Sequence, residues 1–260
     1  MLIENTLFGV CDKVKIAIER LQKFEPDDGY YLAFSGGKDS QCIYHLAVEA
    51  GVKFDAHYSV TTVDPPEVIR FIHEHYPDVK FEKPEKTMWQ LISRKLMPPT
   101  RIARYCCEKL KECGGDGRVV MTGIRNAESA KRAGRRMVEN CFKGKSKTYV
   151  NPIIDWSDAD VWEFIRSREL TYCELYDKGY KRIGCVMCPM KGRDGMLRDM
   201  VRYPRIARCF YRAFANLLEY RKNRGKETEW RIPVDVMEWW IYGKENNDTA
   251  TDPDQTVIFE

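Results

Sequence analysis

The segment Ser35-Gly36-Gly37-Lys38-Asp39-Ser40 carries the residue types that hold a phosphate. Two adjacent glycines let the backbone approach an anion closely and adopt positive φ. Lys38 adds a point charge, Ser35 and Ser40 add hydroxyl donors, and Asp39 is placed to orient the loop or a Mg²⁺ ion. The apolar run Tyr30-Tyr31-Leu32-Ala33-Phe34 before it reads as a buried strand, and Gln41 to Ala50 after it as a helix stopped by Gly51. Backbone N–H groups at a helix N-terminus that follows a strand are a ready anion site. The Gly-x4-Gly-Lys-Ser/Thr spacing of a Walker A loop is absent. The bland alternative is a turn that merely needs glycine. Such a turn has no use for this lysine, acid and serine together.

Cysteines are the second chemical signal. The chain has ten in 260 residues, too long a chain for a disulfide-stapled mini-domain, and its N-terminus lacks the basic and apolar pattern of an export signal. In a reducing compartment, clustered cysteines point to metal or catalysis. Two pairs stand out, Cys106-Cys107 and Cys185-x-x-Cys188. Four thiolates satisfy a [4Fe–4S] cubane and also a tetrahedral Zn²⁺, although adjacent cysteines converge awkwardly on one ion. Free or redox-active thiols are a third reading. Cys11, Cys42, Cys113, Cys141, Cys173 and Cys209 read by default as small buried hydrophobes. Cys113, near the first pair, remains open as a substitute ligand.

The elements that must position these groups alternate in type. Residues 8 to 24 carry apolar side chains at helical spacing, ended by Pro26-Asp27-Asp28-Gly29. Phe54 to Val60, Val79 to Phe81 and Arg118 to Thr122 read as strands. Glu67 to His75, Met88 to Leu96 and Asp158 to Arg168 read as helices, the last with Ser157 as N-cap. This alternation predicts an α/β fold, a parallel sheet with helices on both faces. After about residue 183 the pattern turns to basic helices, roughly 195 to 225 and Val234 to Tyr242, then a polar tail from Lys244. The expected organisation is a nucleotide-binding α/β domain over 1–182 and a cysteine loop with a helical C-terminal part over 183–260. A hydrophobic content of 43% supports a packed core, and a net charge of +4 permits an anionic ligand without announcing nucleic acid. No apolar run approaches the ~20 residues of a membrane helix, so a cytoplasmic protein without a membrane partner is expected.

The loop resembles the PP-loop of the ATP pyrophosphatases, which cleave ATP between the α and β phosphates. Later segments resemble one branch of that superfamily, the phosphoadenosine phosphosulfate (PAPS) reductase family, whose fold is adenine nucleotide alpha hydrolase-like. They are Pro99-Thr100-Arg101, Arg104-Tyr105-Cys106-Cys107 with Leu110-Lys111, Thr122-Gly123-Ile124-Arg125 with Glu128-Ser129 and Arg132, Asn151 to Trp156 with Asp160-Val161-Trp162, and Gly179-Tyr180 with Ile183-Gly184-Cys185 and Cys188. They run in family order from about residue 30 to 190. The resemblance implies that Gly123 and Arg125 join the loop in binding nucleotide and that Arg101, Arg132 and Asp64 contact substrate. It also implies that Cys106, Cys107, Cys185 and Cys188 hold a [4Fe–4S] cluster. Physically, Gly123 and Arg125 follow a strand at its C-terminal edge, where open parallel sheets bind ligands. Arg125 and Arg132 offer planar forks to phosphate or sulfate, or else are solvated surface arginines. Asp64 suits a ribose or Mg²⁺, or equally a cap on the next helix. Trp156 and Trp162 read as core.

Two departures from the reductases bear on the nucleotide. Those enzymes carry a nucleophilic cysteine in a C-terminal Glu-Cys-Gly-Leu-His segment, whereas the last cysteine here is Cys209. Reductases also tend to have a degraded phosphate loop, whereas this one is intact. Both point to ATP·Mg²⁺ and to the cluster-containing enzymes of sulfur insertion, such as tRNA thiolases and DNA-phosphorothioation ATPases. The expected function is cleavage of ATP to AMP and pyrophosphate, with Lys38 and Asp39 as catalytic residues, adenylating an acceptor for sulfur transfer. A sulfur-donor protein and an RNA or DNA acceptor are the expected partners. The alternatives are a sulfonucleotide reductase with a non-standard thiol, and a nucleotide-gated iron–sulfur binding module without turnover. From Lys191 to Arg224, arginines interleave with Tyr203, Phe210, Tyr211, Phe214 and Tyr220. That pattern suits a nucleic-acid backbone, but suits better an amphipathic helix pair with aromatics inside.

Overall fold

The computed structural model describes residues 1–6, 9–141 and 146–243. The chain starts with an antiparallel hairpin, β1 (Ile3–Thr6) and β2 (Gly9–Asp12), before α1 (Lys13–Lys23). The helical spacing from residue 8 is misleading here. Val10 lies on β2 and is 69% exposed, and the helix begins only where the Asp12 side chain accepts hydrogen bonds from the Val14 and Lys15 amides at 3.0 Å. That N-cap fixes the boundary.

Alternating elements follow: β3 (Tyr30–Ala33), α2 (Lys38–Ala50), β4 (Phe54–Ser59), α3 (Pro66–His75), β5 (Lys80–Glu82), α4 (Met88–Lys95), α5 (Tyr105–Leu110) and β6 (Val119–Met121). Next come α6 (Ala130–Ala133), β7 (Val138–Asn140), β8 (Thr148–Val150), α7 (Asp158–Ser167), α8 (Gly192–Arg202), α9 (Pro204–Asn223) and α10 (Pro233–Tyr242). The six-stranded sheet has the order β5-β4-β3-β6-β8-β7. All its pairings are parallel except β7 with β8. Leu32 of β3 sits between Ala56 and Met121 of its two neighbours. A strand covered on both faces reads as an unbroken apolar run, which is why Tyr30 to Phe34 does not alternate. The α/β class is therefore as expected, a largely parallel sheet flanked by helices, with further helices towards the C-terminus. The edge pair β7–β8 has no such signature, because each strand is three residues long and β7 reads Val-Glu-Asn. The pairings Val138↔Val150, Glu139↔Tyr149 and Asn140↔Thr148 define it.

The order reverses at β3 and β6: the chain runs out from β3 through β4 to β5 and returns on the other side. The loops after β3 and β6 therefore flank the crevice where open sheets take ligands. The acidic N-terminal turn of α7 is set by a capping box, in which Ser157 accepts from the Asp160 amide and Asp160 accepts from that of Ser157. Trp156, read as core, is completely buried, and Trp162 half-buried.

Away from the crevice, one charge network makes a stability prediction. Asp55 lies 2.6 Å from His57 Nε2, 2.6 Å from Arg118 and 3.2 Å from Lys80. Burial pushes its carboxyl up, but His57, Arg118 and Lys80 outweigh burial and hold it at about 2. A carboxyl whose pKa is depressed by folding stabilises the protein above its unfolded pKa, and that stabilisation disappears as pH falls through the folded value. Asp55→Asn is expected to cost roughly 1–2 kcal/mol at pH 6 and little near pH 2, read from urea midpoints across that range. An equal cost at both pH values would remove the network from the account.

The chain separates into two compact units. One comprises Met1–Ser59, Pro66–Glu82 and Gly114–Ile183, the other Val60–Pro65, Lys83–Cys113 and Gly184–Glu260. The sequence pattern draws one boundary near 182/183. In the structure the second unit also gathers two internal segments, including α4, α5 and the first cysteine pair. Its core packs α4 against α9 and α9 against α10, with Ile92, Leu110, Phe210, Phe214, Leu217 and Val236 buried. On α9, Phe210 and Phe214 turn inward while Arg205, Arg208 and Arg212 are exposed. The aromatics thus serve the core, as in an amphipathic helix. The tail from Lys244 lies outside the described residues.

Candidate functional site

In the first unit, the loop between β3 and α2 is built so that its backbone turns sharply into the helix. Gly36 has φ +70°, the left-handed region, and a Cβ there would meet Val68 and Ile72 at 3.0 Å. Gly37, with φ −87°, is the N-cap of α2 and needs no positive φ. The Ser40 hydroxyl donates to the Gly37 carbonyl at 2.8 Å and accepts from the Ser35 amide at 3.2 Å. The Ser35 and Ser40 hydroxyls are 3.1 Å apart. The serines therefore tie the loop to the first turn of α2, whose leading N–H groups lack intrahelical partners.

Across the crevice, Gly123 follows β6. A Cβ on it would fall 2.9 Å from the Asp39 carbonyl carbon and oxygen, so glycine is what lets the two loops meet. Ser35, Gly37, Asp39, Ser40, Gly123, Glu128, Arg132, Tyr176 and Arg182 line one cleft of about 180 Å³.

Lys38 and Arg125 sit in a network of charges at the loop. Both are buried, 2% exposed. The Lys38 ammonium is 3.0 Å from Asp158 and 3.5 Å from Asp39. Arg125 donates to Asp39 at 2.7 Å, to Asp158 at 3.1 Å and to the Trp156 carbonyl at 3.2 Å. Two cations and two carboxylates thus form one network beneath the loop. Burial pushes the Asp158 carboxyl up, but Lys38 and Arg125 outweigh it and hold it below the usual range. Arg125 orients Asp39, so its planar fork works on two carboxylates and a carbonyl. Arg132 reaches the cleft and pairs with Glu128, to which Arg182 also comes at 3.5 Å.

Asp158, Tyr176 and Arg182 escape the sequence reading. An acid in the first turn of a helix is ordinary dipole chemistry, so Asp158 gives no signal of its own. Tyr176 and Arg182 lie in a turn-rich segment without periodicity.

In the second unit, Cys106, Cys107, Cys185 and Cys188 line a single small pocket with Met88, Leu110, Lys111, Met187, Phe210 and Trp240. Two segments bring them there. The first is pinned by Trp240 donating to the Pro99 carbonyl at 2.6 Å and Tyr105 to that of Met97 at 2.8 Å. The second is held by the Val186 amide on the Val63 carbonyl at 2.8 Å and the Met187 amide on buried Asp199 at 2.9 Å. A hydrogen bond from Cys106 holds the Cys107 thiol down, against burial and with help from the Arg104 guanidinium 3.4 Å away. Burial pushes Cys188 up to about 11. Negative charge on the Cys185 sulfur, and then on those of Cys188 and Cys107, raises the Lys111 ammonium against burial.

The donor set fits an iron–sulfur cluster: four thiols on one apolar-walled pocket, with Arg104 and Lys111 to offset thiolate charge. Among the described residues, no group of three or more His, Cys, Asp or Glu side chains is drawn together as tightly as a metal ion requires. A cubane spreads its four thiolates over separate irons and asks for less convergence than one ion does. Cys113 is exposed, and Cys42 and Cys173 are buried. Asp64 and Arg101 also belong to the second unit. Asp64 accepts from the Thr61 hydroxyl at 2.6 Å and amide at 2.7 Å, and Arg101 is half-buried ahead of α5.

The model of the phosphoadenosine phosphosulfate reductase domain matches residues 29–191. An uncharacterised protein of Methanocaldococcus jannaschii is 27% identical over 218 residues, 79% of this chain and 44% of that protein. The chain thus spans less than half of that relative's length. Adenosine 5'-phosphosulfate reductase of Staphylococcus epidermidis is 29% identical over 199 residues, 69% of this chain and 79% of that one. Among solved structures, a U34-tRNA thiolase of Methanococcus maripaludis with its [4Fe–4S] cluster aligns at TM-score 0.43 and 15% identity, over 86% of this chain and 84% of that one. Among the described residues, no helix is long and apolar enough to cross a membrane.

Proposed function

Because the chain belongs to the phosphoadenosine phosphosulfate reductase family, we propose that it is the ATP-cleaving kind of member, which adenylates an acceptor for sulfur transfer. The observation that carries this reading is the intact loop Ser35 to Ser40 at the N-terminus of α2, with its serines locking the turn and Gly123 closing the crevice. A substrate without β and γ phosphates has no need of such a seat.

In the reaction, an acceptor oxygen bonds to the α-phosphorus as the bridging bond to the β-phosphate breaks. Pyrophosphate leaves with that electron pair. The loop amides and Lys38 stabilise charge growing on the leaving phosphates. Arg125 fixes Asp39, which faces the cleft and serves the loop or a Mg²⁺ ion. Arg132 offers a fork to the rest of the nucleotide or acceptor. Cys106, Cys107, Cys185 and Cys188 would hold a [4Fe–4S] cluster, whose chemistry is to carry or deliver sulfur. The acceptor class proposed is RNA or DNA, with a sulfur-donor protein as partner.

A second reading, reduction of a sulfonucleotide, is favoured by the similarity to the staphylococcal adenosine 5'-phosphosulfate reductase. It requires a thiol other than the four in the pocket, with Cys173 and Cys209 as candidates. Competition binding on anaerobically purified protein separates the two. ATP·Mg²⁺ is expected to bind at least tenfold more tightly than adenosine phosphosulfate or its 3'-phosphate at one salt concentration, and to yield pyrophosphate once the acceptor is present. A preference for either sulfonucleotide overturns the ATP reading. Tight ATP binding with no pyrophosphate under any acceptor would leave a binding module.

A further inference from the structure

We propose that Tyr176 is the gate of the phosphate loop: its hydroxyl holds the Lys38 amide until a phosphate oxygen replaces it. This rests on the reading of the loop as a phosphate seat. The Lys38 N–H, the first of α2, donates to the Tyr176 hydroxyl at 2.8 Å. That N–H has no partner within the helix and points where an anion at the helix N-terminus would sit. The phenol oxygen therefore stands in an anion's place. It also closes on the turn itself, since a Cβ on Gly37 would lie 3.4 Å from it.

The ring packs among aromatics at the wall of the cleft. Tyr176 lies in an irregular segment and is half-buried at the cleft. Its ring meets the edge of Trp162 at 5.1 Å and 88°, and Tyr172 at 6.2 Å. Burial keeps the phenol neutral by pushing its ionisation up, so the amide gives its hydrogen bond to an uncharged acceptor. Charged acceptors bind an N–H about twice as strongly as neutral ones. A phosphate can displace the phenol, whereas a neutral nucleoside cannot. The gate thus sets a threshold against ligands without phosphate, and lowers apparent affinity by the fraction of time it is shut.

The test uses the full chain, with inorganic pyrophosphate, ATP·Mg²⁺ and adenosine as probes in calorimetry and in Trp162 emission. Tyr176→Phe keeps the ring against Trp162 and removes only the competing oxygen. It is expected to bind pyrophosphate and ATP roughly two- to tenfold more tightly than the parent, a gain that a merely damaged site would not show. In the parent, pyrophosphate and ATP are expected to change an emission that Trp162→Phe abolishes, with adenosine leaving it unmoved. Equal or weaker binding by Tyr176→Phe overturns the gate, and weaker binding makes the hydroxyl a phosphate ligand instead. If neither protein binds pyrophosphate or ATP, the phosphate-seat reading itself fails and takes the gate with it.

Discussion

Replacing Lys38 by alanine is expected to lower pyrophosphate release from ATP by about 10²- to 10³-fold, the scale of losing one preorganised charge at the leaving group. The expectation comes from the network beneath the loop. Lys38 shares Asp158 and Asp39 with Arg125, lying 3.0 and 3.5 Å from them against 3.1 and 2.7 Å for Arg125. Without Lys38, Asp39 on the cleft and Asp158 beside it keep only Arg125 as a counter-charge. The loss should fall on kcat as well as on KM, because charge builds on the leaving pyrophosphate as the bond breaks. Asp158→Asn tests the same network from the other side. It removes the negative partner and leaves the ammonium in place, so its expected loss is smaller, about tenfold or less. If Lys38→Ala retains full turnover, the catalytic role assigned to Lys38 is wrong.

Replacing any one of Cys106, Cys107, Cys185 or Cys188 by serine is expected to abolish stable incorporation of four irons per chain on anaerobic reconstitution, together with the broad visible absorption of an iron–sulfur protein. Cys113→Ser, whose side chain is exposed, is expected to load like the parent. The readout is iron content and absorption, so it is independent of turnover. Retention of iron by Cys185→Ser together with its loss in Cys113→Ser would move the ligand set. Binding of one zinc per chain, with no iron taken up, would replace the cluster by a tetrahedral ion. A chelator that strips the metal should also lower the melting temperature, because both cysteine segments close one pocket and a shared ligand ties them together.

Much of this was legible from residue types alone. The loop Ser35 to Ser40 was legible as a strand-to-helix junction, which the structure places between β3 and α2. The central strand announced itself through an apolar run buried on both faces, and the family through ordered motifs. The hairpin ahead of α1 was not legible, because Val10 satisfies a helical period as well as an exposed strand, and the Asp12 cap decided between them. The strands β7 and β8 were equally hidden, since three-residue strands are defined by partners rather than by pattern.

The sequence by itself determined the chemistry on offer: a glycine-rich loop with lysine and serines at a strand-to-helix junction, four paired thiols and an α/β scaffold to carry them. Tertiary structure decided how those groups are spent. It buried Lys38 and Arg125 against Asp39 and Asp158, because a charge removed from water must find a partner of opposite sign. It placed the Tyr176 hydroxyl on the Lys38 amide from 138 positions away along the chain. It also gathered Cys106 and Cys107 with Cys185 and Cys188 on one pocket, through hydrogen bonds from Trp240, Tyr105 and Met187. Residue types fix what a side chain can do, whereas its distance and burial relative to a remote partner fix what it does, and only the folded chain sets those.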